Sequence, residues 1–509
     1  MSTLQIDTRG LQSKTDDSVL EALKQNLYHL KAAFETEKVA FEVARARFVR
    51  AEEALASAQA RFDGFATIVS EQRSKIRRVP DLETEILCSI FEAACPPHSI
   101  DPWSLSETTP LNSVKQRSMT PFCLSAVCKR WRTVATTSGS LWNLITIPND
   151  RDDTARASRT IDYITAVAQR SKAFDLAVIV GWKTVKDFDK DGCTRTIAAL
   201  VPHLQRIASF EIHVGLSGSW MNLLRRPTPR LKTLYCMVSQ PNDGWDDAPL
   251  PRYLPIAPEL EVIRLIHCPL IPQGPLPSLQ RLAVKLASVP SKVIIPLFVN
   301  APVLSNVHLT IASVTAVDTP ATSRQIAVPS LTALHLSSSA ASVLFQPNIS
   351  WQFPRVTYMT LDIVQIDTAH QVLAAVHATL TGMTLDGPGF IRETLTDVLR
   401  PLAKLKTLLL RSCNVTDGFW RALCQTDEII LPALATVTLD SVHLAEDVEG
   451  DAVRGDGLVQ FVRERRRGGS TVVAGGSQLK TVRSVTIKPQ GTLDAWLVDE
   501  INYIMNNST

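Results

Sequence analysis

One short pattern recurs eleven times between residues 207 and 487, and it constrains this chain of 509 residues more than any other feature. Each copy has apolar residues at its first, fourth and sixth positions, as in LTALHL at 331–336. Successive copies up to the tenth begin 19 to 29 residues apart, mostly the spacing of repeat proteins that place one strand in each repeat. The first apolar residues of the copies are Ile207, Leu231, Leu260, Leu279, Leu304, Leu331, Val356, Leu380, Leu405, Leu434 and Val482.

Prolines are placed in a fixed relation to this pattern. In seven copies a proline stands two residues before the first apolar residue, namely Pro229, Pro258, Pro277, Pro302, Pro329, Pro354 and Pro432. Proline breaks the preceding segment and occupies a position where no N–H is needed for a strand ladder. Together the two features predict a solenoid over 207–509, with 148–206 as a connecting and capping segment.

In such a solenoid the apolar positions form the core, and the residues between them lie on the concave face. We expect that face to bind a protein substrate. Its early repeats are basic, which favours an acidic or phosphorylated segment because arginine pairs well with such groups. A solvated face with incidental charges is the alternative for any single residue. The candidate substrate-binding residues are Arg264, Arg281, Lys285, His308, His335, Tyr358, Asp362 and Arg411.

A second periodicity occupies the N-terminal part of the chain. Apolar residues recur at alternating spacings of three and four from Leu20 to Ile76, with Glu37 and Gln72 as the polar exceptions, without proline and with Gly64 as the one glycine. This pattern predicts a coiled-coil helix over 16–78, roughly 85 Å long, after a disordered N-terminus at 1–15. Its apolar stripe needs a partner. We expect self-association, and the alternatives are another protein or the body of the same chain.

Residues 79–147, between these regions, predict a small helical unit. Pro80 and Asp81 mark the start of one helix, and the pair at 96–97 ends it. The segment 96–120 is rich in Ser, Thr and Pro and predicts a loop, after which a second helix begins at Pro121.

This unit resembles an F-box. The resemblance is carried by Leu82-x-x-Glu85-Ile86-Leu87-x-x-Ile90-Phe91, by Val127-Cys128-Lys129-Arg130-Trp131-Arg132 and by Leu141-Trp142. Glu83 stands where that family usually has proline, and the predicted loop separates the two halves. The repeat region resembles the leucine-rich-repeat part of many F-box proteins. The implied fold class is α plus α/β solenoid, with a long N-terminal coiled-coil-like helix, a small helical F-box and an irregular leucine-rich-repeat array.

The resemblance implies a substrate-receptor subunit of an SCF-type ubiquitin ligase, acting in ubiquitin-dependent protein degradation. Its F-box would dock on a Skp-class adaptor that is joined to a cullin. The implied adaptor-binding residues are Leu82, Ile86, Leu87, Ile90, Phe91, Val127, Cys128, Trp131, Leu141 and Trp142. The alternative is a coiled-coil and leucine-rich-repeat scaffold protein that never joins a ligase.

Composition argues against several other classes. A net charge of +3 falls short of the clustered charge of a nucleic-acid binder. No apolar run approaches the roughly 20 residues that span a bilayer. We therefore expect no nucleic-acid or membrane partner, and a cytoplasmic and/or nuclear location.

The sequence holds no H-E-x-x-H, Walker or dinucleotide-binding motif, so we expect neither enzymatic activity nor a cofactor. The basic run 463–467 predicts a solvated, flexible loop, with a nuclear-import signal or an anion contact as the alternative.

Overall fold

The computed structural model describes most of the chain in sixteen stretches. These are residues 8–76, 82–95, 111–147, 154–182, 190–214, 219–238, 252–268, 270–288, 291–313, 324–346, 348–362, 366–424, 430–445, 455–467, 481–488 and 493–507. The chain divides into two compact units, Met1–Glu83 and Thr84–Thr509.

The first unit is dominated by one helix, α1 (Thr8–Ile76), of 69 residues. At 1.5 Å per residue it is about 100 Å long. The predicted long helix is therefore confirmed, but it starts before Asp16, and residues 8–15 are helical rather than disordered. Residues 1–7 and 77–78 of the predicted segments lie outside the described residues.

The second unit begins with three helices, α2 (Thr84–Ala94), α3 (Leu111–Val127) and α4 (Lys129–Thr137), followed by a 3-10 turn over Gly139–Trp142. The loop prediction for 96–120 is wrong over 111–120, because α3 starts at Leu111 and continues through Pro121. Pro121 is buried, so packing offsets the backbone hydrogen bond that proline removes. Residues 96–110 lie outside the described part of the chain.

Twenty short strands follow within the described residues. They are β1 (Leu144–Ile147), β2 (Leu176–Trp182), β3 (Ile207–Val214), β4 (Thr233–Val238), β5 (Arg252–Tyr253), β6 (Val262–Ile266), β7 (Ile271–Pro272), β8 (Arg281–Ser288), β9 (Asn306–Ser313), β10 (Arg324–Ala327), β11 (Ala333–Leu336), β12 (Ile349–Gln352), β13 (Tyr358–Asp362), β14 (Gly382–Asp386), β15 (Phe390–Ile391), β16 (Thr407–Arg411), β17 (Asn414–Thr416), β18 (Thr436–Asp440), β19 (His443–Ala445) and β20 (Ser484–Lys488).

The remaining described helices lie between these strands or after them. They are α5 (Thr154–Arg170), α6 (Lys190–Ala198), 3-10 turns over Val201–Arg206 and Ser219–Arg225, α7 (Ser291–Val299), α8 (Ser338–Leu344), α9 (Ile366–Val376), α10 (Leu395–Leu399), α11 (Asp417–Ala422), α12 (Asp456–Arg467) and α13 (Ala495–Asn507). No helix in the described stretches combines the length and the apolar composition needed to cross a membrane.

Thirteen of the strands form one parallel sheet in the order β1-β2-β3-β4-β6-β8-β9-β11-β13-β14-β16-β18-β20. Each of the eleven predicted repeats contributes one strand to it, from β3 to β20, so the repeat pattern located these strands correctly. The sheet nevertheless starts earlier than the repeats do. Strand β1 belongs to the helical unit and β2 to the predicted connecting segment, and both continue the sheet.

The recurring prolines occupy one defined turn position. In six of the seven cases the N–H of the first apolar residue bonds to the carbonyl oxygen three residues earlier, as from Leu231 to Thr228 at 3.1 Å and from Leu434 to Leu431 at 3.1 Å. Proline is thus the second residue of a β-turn, where its fixed φ is favourable. The leucine that closes each of these turns is fully buried.

The basic run 463–467 is part of α12, not a flexible loop. Arg465 is 3% exposed and donates hydrogen bonds to the carbonyl oxygens of Ile430 and, at 3.2 Å, Leu431. Arg463 pairs with Glu500 of α13 at 2.8 Å. The charges in this run are therefore spread around a helix, where Arg465 satisfies buried backbone carbonyl groups.

Candidate functional site

The helical unit has an inner face that packs into the core of the second unit. Leu87 and Phe91, one turn apart on α2, and Leu141 and Trp142 are at most 2% exposed and join the same apolar cluster as the sheet strands. The Trp142 Nε1 donates to the Ala135 carbonyl oxygen at 2.7 Å. These four of the ten candidate adaptor-binding residues therefore stabilise the fold of the unit.

The outer face of α2, defined by Ile86 and Ile90, is different. These two isoleucines are also one helical turn apart, and they are 46% and 45% exposed. Val127, at the end of α3, is exposed as well. Leu82, in the first unit, is 36% exposed. Aliphatic side chains on the solvent side of a short helix are what a protein partner would cover.

Cys128 and Trp131 lie at the junction of α3 and α4. Cys128 caps α4 through its Sγ, which accepts the Trp131 N–H at 3.5 Å. Trp131 is half-buried, and its ring centroid lies 4.9 Å from that of Phe91. The Cys-x-x-Trp spacing thus has a local structural role, while one part of the Trp131 ring stays accessible.

The helical unit is fixed to the first strands from both sides of the sheet. On the side opposite the main core, Val114 of α3 packs with Leu144 and Ile179. Arg117 donates to the Leu141 carbonyl oxygen at 3.4 Å and to Asn143 Oδ1 at 3.3 Å. The outer face of α2 therefore belongs to the same packed unit as the sheet.

We call the side of the sheet that is opposite the main core the polar face. Because side chains alternate along a strand, residues next to the core leucines lie on it. Strand pairing aligns them in rows across the sheet. One row runs Glu211, Tyr235, Arg264, Ala283, His308, His335, Thr360 and Thr384.

The early part of the polar face, on β3, β4 and β6, is buried. Tyr235, Met237 and Ile266 form a small apolar cluster, and Glu211 and His213 are fully buried as a hydrogen-bonded pair. Arg264 is 4% exposed, with its guanidinium 4.4 Å from the Tyr235 ring centroid. Arg264, expected to face a substrate, is therefore part of a packed aromatic and charged cluster.

Arg281 and Lys285, the other basic candidates, lie on β8 and are half-buried. In the strand register Arg281 is beside Asn306, and Lys285 lies between Ile266 and Thr310. The expected basic patch is therefore reduced to two partly covered side chains. The open part of the polar face lies further along the sheet.

Two histidines begin this open part. The rings of His308 and His335 lie against each other, with centroids 3.7 Å apart and planes inclined at 33°. Burial, followed by the neighbouring His335, lowers the pKa of His308 to about 3. Burial, followed by Arg411, lowers the pKa of His335 to about 4. Both rings are therefore neutral near pH 7, and they present hydrogen-bonding groups rather than charge.

Acidic groups follow the histidines on β13, β14 and β18. His335 Nε2 lies 3.9 Å from Asp362 Oδ1, a contact that becomes an ion pair only when the histidine is protonated. Burial and then the charge of Asp386 raise the pKa of Asp362 to about 6. Arg411 lies between two carboxylates, 3.5 Å from Asp386 and 3.4 Å from Asp440.

Tyr358, a further candidate, hydrogen-bonds through its hydroxyl to the Thr384 hydroxyl at 2.6 Å. The structure thus brings together His308, His335, Asp362 and Arg411 of the eight candidates, with Tyr358 nearby in the same strands. We call His308, His335, Asp362, Asp386, Arg411 and Asp440 the open patch. It holds three carboxylates and one guanidinium, and Lys488 of β20 is the register neighbour of Asp440 at its edge, so acidic groups outnumber basic ones by one.

Comparison with known proteins adds no family assignment: no family model matches the chain, and a search of curated proteins found no significant match. In the described stretches no three His, Cys, Asp or Glu side chains are grouped so that they could hold a metal ion. The site is therefore interpreted from its own geometry.

Proposed function

We propose that this chain is a substrate-receptor subunit of an SCF-type ubiquitin ligase, with the helical unit as an F-box and the strand array as a leucine-rich-repeat solenoid. The observation that best supports this proposal is the division of α2 into a buried face, Leu87 and Phe91, and an exposed aliphatic face, Ile86 and Ile90. A short helix that has already filled its core has no internal use for two more exposed isoleucines. A Skp-class adaptor would cover them.

The attachment of the unit to the sheet also supports this role. A receptor must hold its substrate at a fixed place relative to the ligase, because transfer is faster when the reacting groups are pre-positioned. Val114 and Trp142 pack the helical unit against the first strands, one on each side of the sheet, and Arg117 braces the turn before β1. The adaptor surface and the polar face would then move as one body.

We further propose that the open patch binds the substrate. Its three carboxylates outnumber Arg411 and the neighbouring Lys488, which favours a segment that carries Lys or Arg together with backbone or side-chain hydrogen-bonding groups. This reverses the chemistry expected from the sequence, because Arg264 is buried and Arg281 and Lys285 are partly covered.

Co-purification of the full chain with a Skp-class adaptor and a cullin tests the ligase proposal. The double variant Ile86→Glu and Ile90→Glu should lose the adaptor, since it places two charges in the proposed apolar interface. The matched control is Ile256→Glu with Val299→Glu, two comparably exposed aliphatic residues outside the helical unit. Equal loss in both variants, or retention in the first, would contradict the proposal.

Affinity capture with mass spectrometry tests the open patch. Asp386→Asn with Asp440→Asn should release the proteins captured by the wild-type chain, and Asp397→Asn, an exposed carboxylate of α10, should retain them. Cross-linked segments should be basic. A complex that contains the captured proteins but neither adaptor nor cullin would instead favour a scaffold outside the ligase.

A further inference from the structure

The strongest unassigned surface is the apolar stripe of α1. Its large side chains are exposed from Val19 to Ile68, and most of them are more than half exposed. The stripe members are Leu20, Leu23, Leu27, Leu30, Phe34, Phe41, Phe48, Leu55, Phe62 and Phe65. A helix that leaves so many leucine and phenylalanine side chains in water needs a partner along most of its length.

The stripe has a strict heptad spacing, so its residues can be assigned to the two core positions, a and d, of a coiled coil. The a positions carry the large residues Phe34, Phe41, Phe48, Leu55 and Phe62. The d positions in the middle of the helix carry Ala44, Ala51 and Ala58. Large and small side chains thus alternate along the centre of the stripe.

This alternation distinguishes the two possible orientations of a pair. In a parallel pair, like positions face each other, so layers of two phenylalanines would alternate with layers of two alanines. In an antiparallel pair each a residue faces a d residue, so each central layer combines one large side chain with one alanine. Layers of even volume pack at native density without voids.

We propose that α1 pairs with α1 of a second copy of this chain in antiparallel orientation. In the favoured register Phe48 lies against the partner's Ala51, and Phe41 lies against the partner's Ala58. Leu55 then lies against the partner's Ala44. Outside these central layers, Phe62 faces the partner's Glu37 and Phe34 faces the partner's Phe65. Every one of these contacts occurs twice because the pair has two-fold symmetry.

At the centre of the helix the flanking charges agree with this register. The e positions beside the stripe include Arg45 and Glu52. In the proposed pair Arg45 approaches the partner's Glu52, and the symmetric contact repeats it. Arg47 and Arg61, at g positions, approach the partner's Ala54 and Ala40, so no like charges oppose each other at these layers. A register shifted by one heptad would bring Arg45 against the partner's Arg45.

A parallel pair would use a different contact, between Arg47 and the partner's Glu52. Reversing the charges at these positions therefore distinguishes the parallel from the antiparallel arrangement. Arg45 and Glu52 are seven residues apart on one helix, so neither replacement alters an ion pair between them within a chain.

The experiment measures the dimer dissociation constant of the full chain by analytical ultracentrifugation at low salt. Arg45→Glu alone and Glu52→Arg alone should each weaken dimerisation about tenfold, because like charges replace two attractive contacts. The double variant Arg45→Glu with Glu52→Arg should restore the wild-type constant. Arg47→Glu with Glu52→Arg should not restore it.

Two results would overturn the proposal. If Arg47→Glu with Glu52→Arg restored the wild-type dissociation constant, the helices would be parallel. A full chain that remains monomeric at micromolar concentration would show that something other than a second copy covers the stripe. Phe41→Asp with Phe48→Asp is the positive control and should abolish any dimer, since both side chains lie at its centre.

Discussion

The two units differ in the exposure of their regularly spaced apolar residues. In the sheet unit the repeat residues are buried almost completely, and one continuous core runs from Leu87 of α2 to Ile504 of α13. In α1 residues of the same types, at an equally regular spacing, remain exposed. A regular apolar spacing therefore predicts a helix or a strand. It does not predict whether the apolar side of that helix or strand is covered by the same chain or by a partner.

This difference shows where partners should be sought. The sheet unit supplies its own core, so most of its regular apolar residues have no binding role. The stripe of α1 and the outer face of α2 are apolar surfaces outside that core. Each of the following predictions would break or sharpen this distinction between covered and uncovered apolar residues.

The largest effect is expected in the inner face of α2. Phe91→Ala should lower the free energy of unfolding by about 3–5 kcal/mol, because it leaves a cavity beside Trp131 in the core. Ile90→Ala, one residue away on the outer face, should change it by less than about 0.5 kcal/mol. Urea denaturation of both variants provides the measurement, and similar losses would mean that the two faces do not differ.

An intermediate effect is expected at Asp417, which is 5% exposed. Its two carboxylate oxygens accept the N–H groups of Gly455 at 2.9 Å and Gly457 at 3.0 Å, at the start of α12. Asp417→Ala should cost about 1–3 kcal/mol, since it leaves buried donors without an acceptor. Asp397→Ala on the surface of α10 is the control. Thermal unfolding that is unchanged for Asp417→Ala would contradict the capping role.

The low pKa values of His308 and His335 predict how the stability of the fold depends on pH. The pKa of His308 is lowered from 6.5 to about 3, and that of His335 from 6.5 to about 4. Below pH 6.5 the unfolded chain therefore binds more protons at these two residues than the folded chain does. Stability should therefore fall as the pH is lowered from 6.5 towards 4. Asp362, with its pKa raised to about 6 from 3.8, gains stability as the pH falls and partly offsets this loss.

His308→Gln with His335→Gln should flatten that acid-induced loss, and His443→Gln, on the surface strand β19, should not. Denaturation midpoints measured from pH 7 to pH 4 test this. An equally steep loss in the double variant would show that these two histidines do not carry it.

The smallest effect on folding is expected from α1. Phe41→Asp with Phe48→Asp should leave the unfolding of the sheet unit within about 0.5 kcal/mol of wild type, because these side chains are exposed outside its core. Denaturation followed by tryptophan fluorescence reports on the sheet unit, since every tryptophan follows residue 83. A large loss would show that the stripe supports that unit.

Sequence reasoning located the repeat strands because apolar spacing and proline position both recur and have local physical causes. It failed where the outcome depends on distant packing. Nothing local marks Arg264 as buried, because strand alternation assigns a side of the sheet but not what covers it. Helix α3 passes through Pro121, and α12 contains the basic run, because tertiary contacts outweigh local composition.

In the candidate site, too, the positions of the residues could be predicted from the sequence, whereas their environment could not. The sequence placed His308, His335, Asp362 and Arg411 on one face, and strand pairing brings them together. Their chemistry was not predictable, because the histidine pKa values depend on burial and on side chains of neighbouring strands. On α2 the helical period grouped Ile86, Leu87, Ile90 and Phe91 as one apolar set, whereas packing divides them into two faces.

The most direct test of the proposed receptor role is the dissociation constant between the full chain and a purified Skp-class adaptor, measured by isothermal titration calorimetry. Replacing Ile86 and Ile90 by glutamate should weaken binding by about 100-fold or more, as expected when two central apolar contacts are lost. The control pair Ile256→Glu and Val299→Glu should bind like wild type. A wild-type chain that does not bind the adaptor, or a double variant that binds it equally well, would contradict the proposal.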